Sequence, residues 1–448
     1  MHNVEIHTSI HRFLLSTHDI VIRMKFTKTK LKNGLRVITV PMKDNPTVTV
    51  LVLVETGSKY ETKAKNGISH FLEHMCFKGT TMRPSAHAIS SELDRLGSQS
   101  NAFTSQEYTG YYAKSDSKNF KKIFDVVSDI YLNSTFPEAE IEKEKGVIVE
   151  EINMYEDMPQ RHVQELFVGL LYGDQPAGWG IAGTRENVRA MTREDFVAYK
   201  KAHYVPSATT VIVSGNVKEK EVEKEIARVF GLIKSTPKAS KKETISKQNK
   251  PAVVIGHKKT DQTHLVLGVR TFDAYDKRLP ILSVLSTVLG GGMSSRLFIK
   301  LREDLGVAYY VRAGNDSSTD AGFFEISAGV SNDRVKEVIK EILLECKKLS
   351  TTIVEKDEIE KAKEYIIGNM KLELESSDAW ATYFGGQEVL RKKIEMPEDV
   401  EKKIRKVTGA QIQELAKEIF VDRNLNLAVI GPFANESEFS SILTFKVI

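Results

Sequence analysis

The sequence predicts an α+β protein of two homologous halves, each a mainly antiparallel sheet with helices packed on one face. Three observations predict it. Alternating and short continuous apolar runs of strand type are interleaved with longer stretches of helical period. Two pairs of segments match at nearly one offset. Glu140-Ile141-Glu142-Lys143 repeats as Glu358-Ile359-Glu360-Lys361, 218 positions on, and TREDFVAYKKAHYVPSATTVIVSGN (192–216) resembles TGAQIQELAKEIFVDRNLNLAVIGP (408–432), 216 positions on. Such self-similarity marks an internal duplication. A polar, lysine-rich stretch, STPKASKKETISKQNKPA (235–252), reads as the linker between the copies.

Composition narrows the function classes. The 448 residues suffice for two or three domains, and 41% hydrophobic with 28% charged content is that of a folded chain. The formal net charge is only +4 and no basic stripe carries interleaved aromatics, which argues against nucleic acid as a partner. Cys76 and Cys346 are too few for a disulfide framework and form no CxxC pair, so a reducing, cytoplasmic setting is expected. No apolar run approaches a membrane span.

Residues 1–23 lack the apolar core and cleavage site of a secretory signal, and Glu5 and Asp19 argue against a mitochondrial transit peptide. His7 and His11 stand four apart, but no helical pattern supports them as a metal pair, so a poorly ordered extension is expected. An orderly pattern begins at Met24, giving a first half over 24–234 and a second over 253–448. Strands flank a tight turn at Asn33-Gly34, and TVTVLVLV continues the sheet. A helix is expected from Asn66, as N-cap, to just before Gly79, and another over 85–96. Strand-like residues return at 101–113, followed by helices over 117–132 and 138–156.

The chemistry lies in HFLEH, residues 70–74. On a helix His70 and His74 project about 40° apart, with Glu73 about 60° from His70. Two imidazoles one turn apart hold a divalent ion, and a carboxylate beside them takes a proton from the attacking water. With 11 His and 60 acidic residues, the pattern arises by chance roughly 0.04 times in a chain of this length. The alternative is a helix with two structural histidines. The flanking Ile68, Phe71, Leu72, Met75 and Phe77 point to a buried helix, where histidine and glutamate need partners. Cys76 reads as a small core residue of the same helix. A third ligand is expected from EKEKGVIVEEINMYED. Glu144 and Glu151 lie seven apart on one face around Val147 and Ile148, while Glu150 is turned about 100° away. Geometry favours Glu151 over Glu150 and leaves both open; a solvated charged face is the plain alternative.

HFLEHMCFKGT followed by EKEKGVIVEE closely resembles the inverted-zincin metallopeptidases related to pitrilysin, insulin-degrading enzyme and the mitochondrial processing peptidase. Their pattern is His-x-x-Glu-His, a ligand Glu some seventy-odd residues later, and a supporting Glu seven before that. Here His74 to Glu151 spans 77 positions and Glu144 precedes Glu151 by seven. The resemblance runs from about Lys25 through both halves and matches the short, single-chain bacterial branch. It implies His70, His74 and Glu151 as ligands of one Zn2+ per chain, Glu73 as general base and Glu144 as support. Zinc over manganese or cobalt is a family expectation that the ligand types support.

The 216-residue offset places Ser286, Leu289 and Gly290 where His70, Glu73 and His74 stand, so the second half lacks these groups. Its GGGMSSRLFIKLREDLGVAYYV (290–311) has no GxxxxGK[ST] pattern, which argues against nucleotide binding. LREDLGVAYYV is similar to the family segment whose Arg and Tyr reach the substrate carbonyl and the oxyanion, implying Arg302 and Tyr309, with Tyr310 as the neighbouring alternative. SNAFTSQEYTGYYA (100–113) resembles the family's substrate-binding edge strand, implying Asn101, Ala102 and Phe103. The implied protein is a zinc metalloendopeptidase acting on peptides or unfolded polypeptides in an enclosed chamber. A homodimer is expected, with Arg302 and Tyr309 acting in cis or in trans. The alternatives are a presequence-processing subunit paired with an inactive homologue, and a non-catalytic scaffold.

Overall fold

The computed structural model describes residues 25–446, so the N-terminal extension with His7 and His11 lies outside the described residues. The first half runs β1 (Thr27–Lys30), β2 (Arg36–Pro41), β3 (Thr47–Val54), α1 (Ile68–Cys76), α2 (Ala86–Arg95), β4 (Gln99–Thr104) and β5 (Thr109–Asp116). It continues α3 (Phe120–Asn133), α4 (Glu138–Asp157), α5 (Pro159–Tyr172), α6 (Arg185–Ala190), α7 (Arg193–His203), β6 (Thr209–Gly215) and α8 (Glu219–Phe230). Its sheet has the order β1-β2-β6-β3-β5-β4. Only β2 and β6 pair in parallel; every other pairing is antiparallel.

The second half repeats this plan with β7 (Ala252–His257), β8 (Gln262–Thr271), α9 (Leu279–Gly290), the short α10 (Arg296–Phe298) continued by a π-helical stretch (Ile299–Asp304), β9 (Ala308–Ser317) and β10 (Gly322–Ser331). After them come α11 (Val335–Thr351), α12 (Lys356–Glu373), α13 (Ser377–Arg391), α14 (Pro397–Arg405), α15 (Gly409–Ile419), β11 (Leu425–Gly431) and α16 (Ser437–Ser440). The order β7-β11-β8-β10-β9, with β7 and β11 parallel, reproduces β2-β6-β3-β5-β4 strand for strand. The duplication legible in two sequence matches therefore extends through five strands of each sheet, and β1 has no counterpart among the described residues.

The stretch 101–113 is two strands rather than one. Ser105 breaks it: its N–H donates to the Tyr108 carbonyl at 2.9 Å, and its hydroxyl accepts from the Glu107 and Tyr108 N–H groups. A serine that satisfies a turn's own backbone groups competes with the extended ladder. Residues 234–250 form neither helix nor strand, yet Lys238 and Lys241 reach back to Glu55 and Asp320.

Each sheet packs its own half's helices on one face. In the first half Val48, Val50 and Val52 meet Phe71, Phe124 and Phe196 there. The other face is covered from across the molecule. α13 of the second half lays Trp380, Ala381 and Phe384 on Ile38, Leu51, Leu53 and Ile212 of the first sheet. Reciprocally, α5 of the first half sets Val163, Phe167 and Leu171 on Val266, Ala428 and Ile430 of the second. The two helices start 218 residues apart, so they are the two copies of one element, exchanged. This burial on both faces explains why β3 reads as a continuous apolar run. α13 comes close enough that a Cβ on Gly385 would stand 2.5 Å from Leu53 Cδ1.

Phe384 is fully buried in that cross-half contact. Phe384→Ala is expected to cost about 3–5 kcal/mol of unfolding free energy in urea titrations. A loss below about 1 kcal/mol would show that this packing does not hold the halves together. Among the described residues no helix is long and apolar enough to cross a membrane.

Candidate metal centre

α1 starts one residue later than the sequence suggests. Gly67, at φ 99°, takes the N-cap position expected of Asn66. The side chain that caps the helix is the buried Glu61, which accepts the N–H groups of Gly67 and Ser69 at 2.8 Å each. Asn66 instead donates to Glu61 and to the Gly180 carbonyl. A carboxylate suits the positive end of the helix better than an amide does. Burial still pushes the Glu61 carboxyl up to about 7 against those hydrogen bonds. Only glycine fits at 67, because a Cβ there would stand 2.5 Å from the Ala182 carbonyl oxygen.

Phe71, Leu72, Met75 and Cys76 anchor α1 in the core, and this fixes the direction in which His70 and His74 project. α4 runs alongside and brings Glu151 to them. Glu151 Oε2 lies 3.6 Å from His70 Nε2 and 3.6 Å from His74 Nε2. These separations are too long for hydrogen bonds. They are close to the roughly 3.4 Å between ligands bound about 2.1 Å from one tetrahedral zinc ion. The three donor atoms all lie within 4.8 Å of one another, so this nitrogen, nitrogen and oxygen set fits a zinc ion. Glu150 is exposed and accepts only a long contact from Asn153. Ile148 is buried as expected between the two carboxylates, whereas Val147 is 51% exposed because it projects off the packed face.

His74 Nδ1–H donates to Glu144 Oε1 at 2.9 Å, and Lys78 donates to Glu144 Oε2 at 2.6 Å. The first contact leaves the His74 Nε2 lone pair facing Glu151. Burial, with His74 beside it, holds the His70 imidazole down to about 4, in the neutral form a metal requires. Burial also lowers the proton affinity of His74, but Glu144, Glu73 and Glu151 together outweigh it and leave it raised. Burial raises Glu144 as well, yet its bonds from His74 and Lys78 carry it below the usual carboxylate range. Glu144→Gln keeps the shape but loses the charge behind His74. It is expected to weaken zinc affinity about 10–100-fold in chelator competition; unchanged affinity would remove Glu144 from the site.

Glu73 lies beside the cluster, and burial raises its carboxyl even though Thr104 donates a hydrogen bond to it. Glu151 has its own support from the Tyr155 hydroxyl, which donates to Oε1 at 2.6 Å. Thr104, Tyr155 and Lys78 escape sequence reasoning. Tyr155 had a signal, standing four residues after Glu151 on one helix face. Thr104 had a fainter one, at the end of the predicted edge strand.

A cavity of about 560 Å³ opens over His70, Glu73, His74 and Glu151. Asn101, Ala102 and Phe103 form one wall. They belong to β4, which among the described residues pairs only with β5 and leaves its outer edge free. α5 contributes Arg161 and Gln164, with Trp179 beyond them. Arg302 and Tyr309 do not line this cavity. They lie together in the second half, where Arg302 donates to the Tyr309 carbonyl and Tyr309 is 71% exposed. Tyr310 is engaged elsewhere, its hydroxyl 3.1 Å from His264 Nδ1.

The family model described as "Insulinase (Peptidase family M16)" matches residues 36–185, and "Peptidase M16 inactive domain" matches residues 190–366. A Bacillus subtilis protein described as an uncharacterized zinc protease is 35% identical over 407 residues, covering 90% of this chain and 98% of that one. One from Mycobacterium leprae is 34% identical over 423 residues, covering 94% and 95%. The crystal structure of a Helicobacter pylori protease aligns at a TM-score of 0.86 with 25% identity, over 92% of this chain and all of that one.

Proposed function

Because the chain belongs to peptidase family M16, we propose that it is a zinc-dependent metalloendopeptidase that hydrolyses peptides or unfolded polypeptides. The convergence of His70, His74 and Glu151 beside Glu73, under a free sheet edge, carries this reading. His70, His74 and Glu151 would hold one zinc ion. Bound there, the metal would supply Lewis acidity to the scissile carbonyl and the attacking water.

An extended substrate adds to the outer edge of β4 through main-chain hydrogen bonds along Asn101, Ala102 and Phe103. Such pairing reads backbone rather than side chains and selects against folded proteins. Glu73 takes the proton of the attacking water and delivers it to the leaving amine. Glu144 holds the tautomer of His74, and Tyr155 orients Glu151.

The catalytic half spans 24–234, with 235–252 as linker and 253–448 as the second half. Arg302 and Tyr309 stabilise the oxyanion of a partner copy's reaction, since both lie outside their own cavity and Tyr309 is exposed. The working unit is then a homodimer enclosing a chamber. Two buried free cysteines suit the reducing cytoplasm.

The test is cleavage of an unstructured fluorogenic peptide by the purified chain. Chelator-sensitive cleavage, restored by zinc, is the expected result. No cleavage, or cleavage indifferent to chelation, would overturn the reading.

A further inference from the structure

Lys59, in the connection between β3 and α1, is 1% exposed. A lysine buried so deeply needs opposing charge, and one comes from each half of the molecule. Glu107 Oε1 lies 3.3 Å from its ammonium, and Asp320 of the second half is in direct contact with it. The Ser318 hydroxyl accepts from the same ammonium at 2.9 Å. Glu107 is buried too, and accepts the Thr319 N–H at 2.9 Å and the Thr319 hydroxyl at 2.6 Å. Lys241 closes the cluster, contacting Asp320 and standing 3.3 Å from Glu107. Two cations and two carboxylates thus meet, and the tip of the β9–β10 hairpin is tied to the tip of the β4–β5 hairpin.

The tie ends close to the chemistry. The β4–β5 turn sits flush on residues 57–59. Ser58 N–H donates to the Ser105 carbonyl and Lys59 N–H to the Gln106 carbonyl, at 3.3 and 2.9 Å. A Cβ on Gly57 would fall 2.1 Å from Ser105 O. Thr104 immediately precedes this turn and donates its hydroxyl to Glu73. Among the described residues β4 has a neighbour on one side only, so its end is held by β5 and by the turn. Where the turn sits decides where the Thr104 hydroxyl sits.

We propose that the second half acts on the reaction through this clamp: Lys59, Glu107 and Asp320 pin the β4–β5 turn and so fix the Thr104 hydroxyl on Glu73. The proposal rests on the peptidase reading. Lys59, Glu107, Asp320 and Thr104 are positioning residues, and none of them touches the substrate's reacting atoms. The catalytically empty half then has a task inside its own chain.

The test is a double-mutant cycle read by peptide cleavage. Thr104→Val removes a hydrogen bond to a carboxylate and is expected to lower kcat roughly tenfold, with zinc content unchanged. Asp320→Asn is expected to lower kcat several-fold with little change in KM, and to lower it no further when Thr104→Val is already present. Asp320→Glu is expected to recover most of the loss. Thr319→Val leaves all four charges in place and takes over the cycle should Asp320→Asn fail to fold. Equal losses of kcat in both backgrounds, a rise in KM alone, or a lower melting temperature with unchanged kcat would each overturn the clamp. Absence of cleavage by the unmodified chain would instead overturn the peptidase reading itself.

Discussion

Replacing Glu73 by glutamine is expected to lower kcat by about 10²–10⁴-fold while the chain keeps its zinc. The substitution preserves volume and can still accept the Thr104 hydrogen bond, but it cannot take up a proton. Glu73 is not among the three groups whose donor atoms converge, so metal content should not follow activity. That separation is what makes the variant informative. A loss of both would make Glu73 part of the metal's support. Retained turnover would remove the general base from the mechanism and leave the cavity without an acceptor for the water's proton.

Glu151→Gln is expected to lose zinc and activity together. It removes the one anionic ligand of the three, and the remaining pair of imidazoles is a poor cage for a divalent ion. The loss of zinc affinity should exceed the roughly 10–100-fold typical of supporting groups, and activity should fall with it. Glu150→Gln is the control, because that side chain faces solvent. If Glu150→Gln lost zinc while Glu151→Gln kept it, the ligand assignment would be displaced by one residue.

The site was legible where it is local. His70, Glu73 and His74 share one turn of helix, and a period of 3.6 residues orders them without knowledge of the fold. Glu151 was half legible: its seven-residue spacing from Glu144 marked a face, but solvated glutamates look the same, and the family resemblance had to separate it from Glu150. Glu61 was invisible, because a cap supplied from outside the helix leaves no mark in the capping positions. Asn66 carried the usual signature and lost the position to it.

The fold was legible to the extent that it repeats. Two matches at nearly one offset announced two halves, and the strand order bears this out. The exchange of α5 and α13 was not legible. Val163, Phe167 and Leu171 recur every four residues, which declares an apolar face but not the sheet it covers. Lys59 and Asp320 are 261 positions apart, and no periodicity connects them. Contacts between halves are decided by how two finished surfaces fit.

The proposed centre places one zinc ion between His70, His74 and Glu151. It is tested most directly by X-ray absorption at the zinc edge on the purified chain, with metal content measured on the same sample. One zinc per chain in a shell of nitrogen and oxygen, with two imidazoles, is the expected result. No bound zinc, or sulfur in the shell, would contradict it.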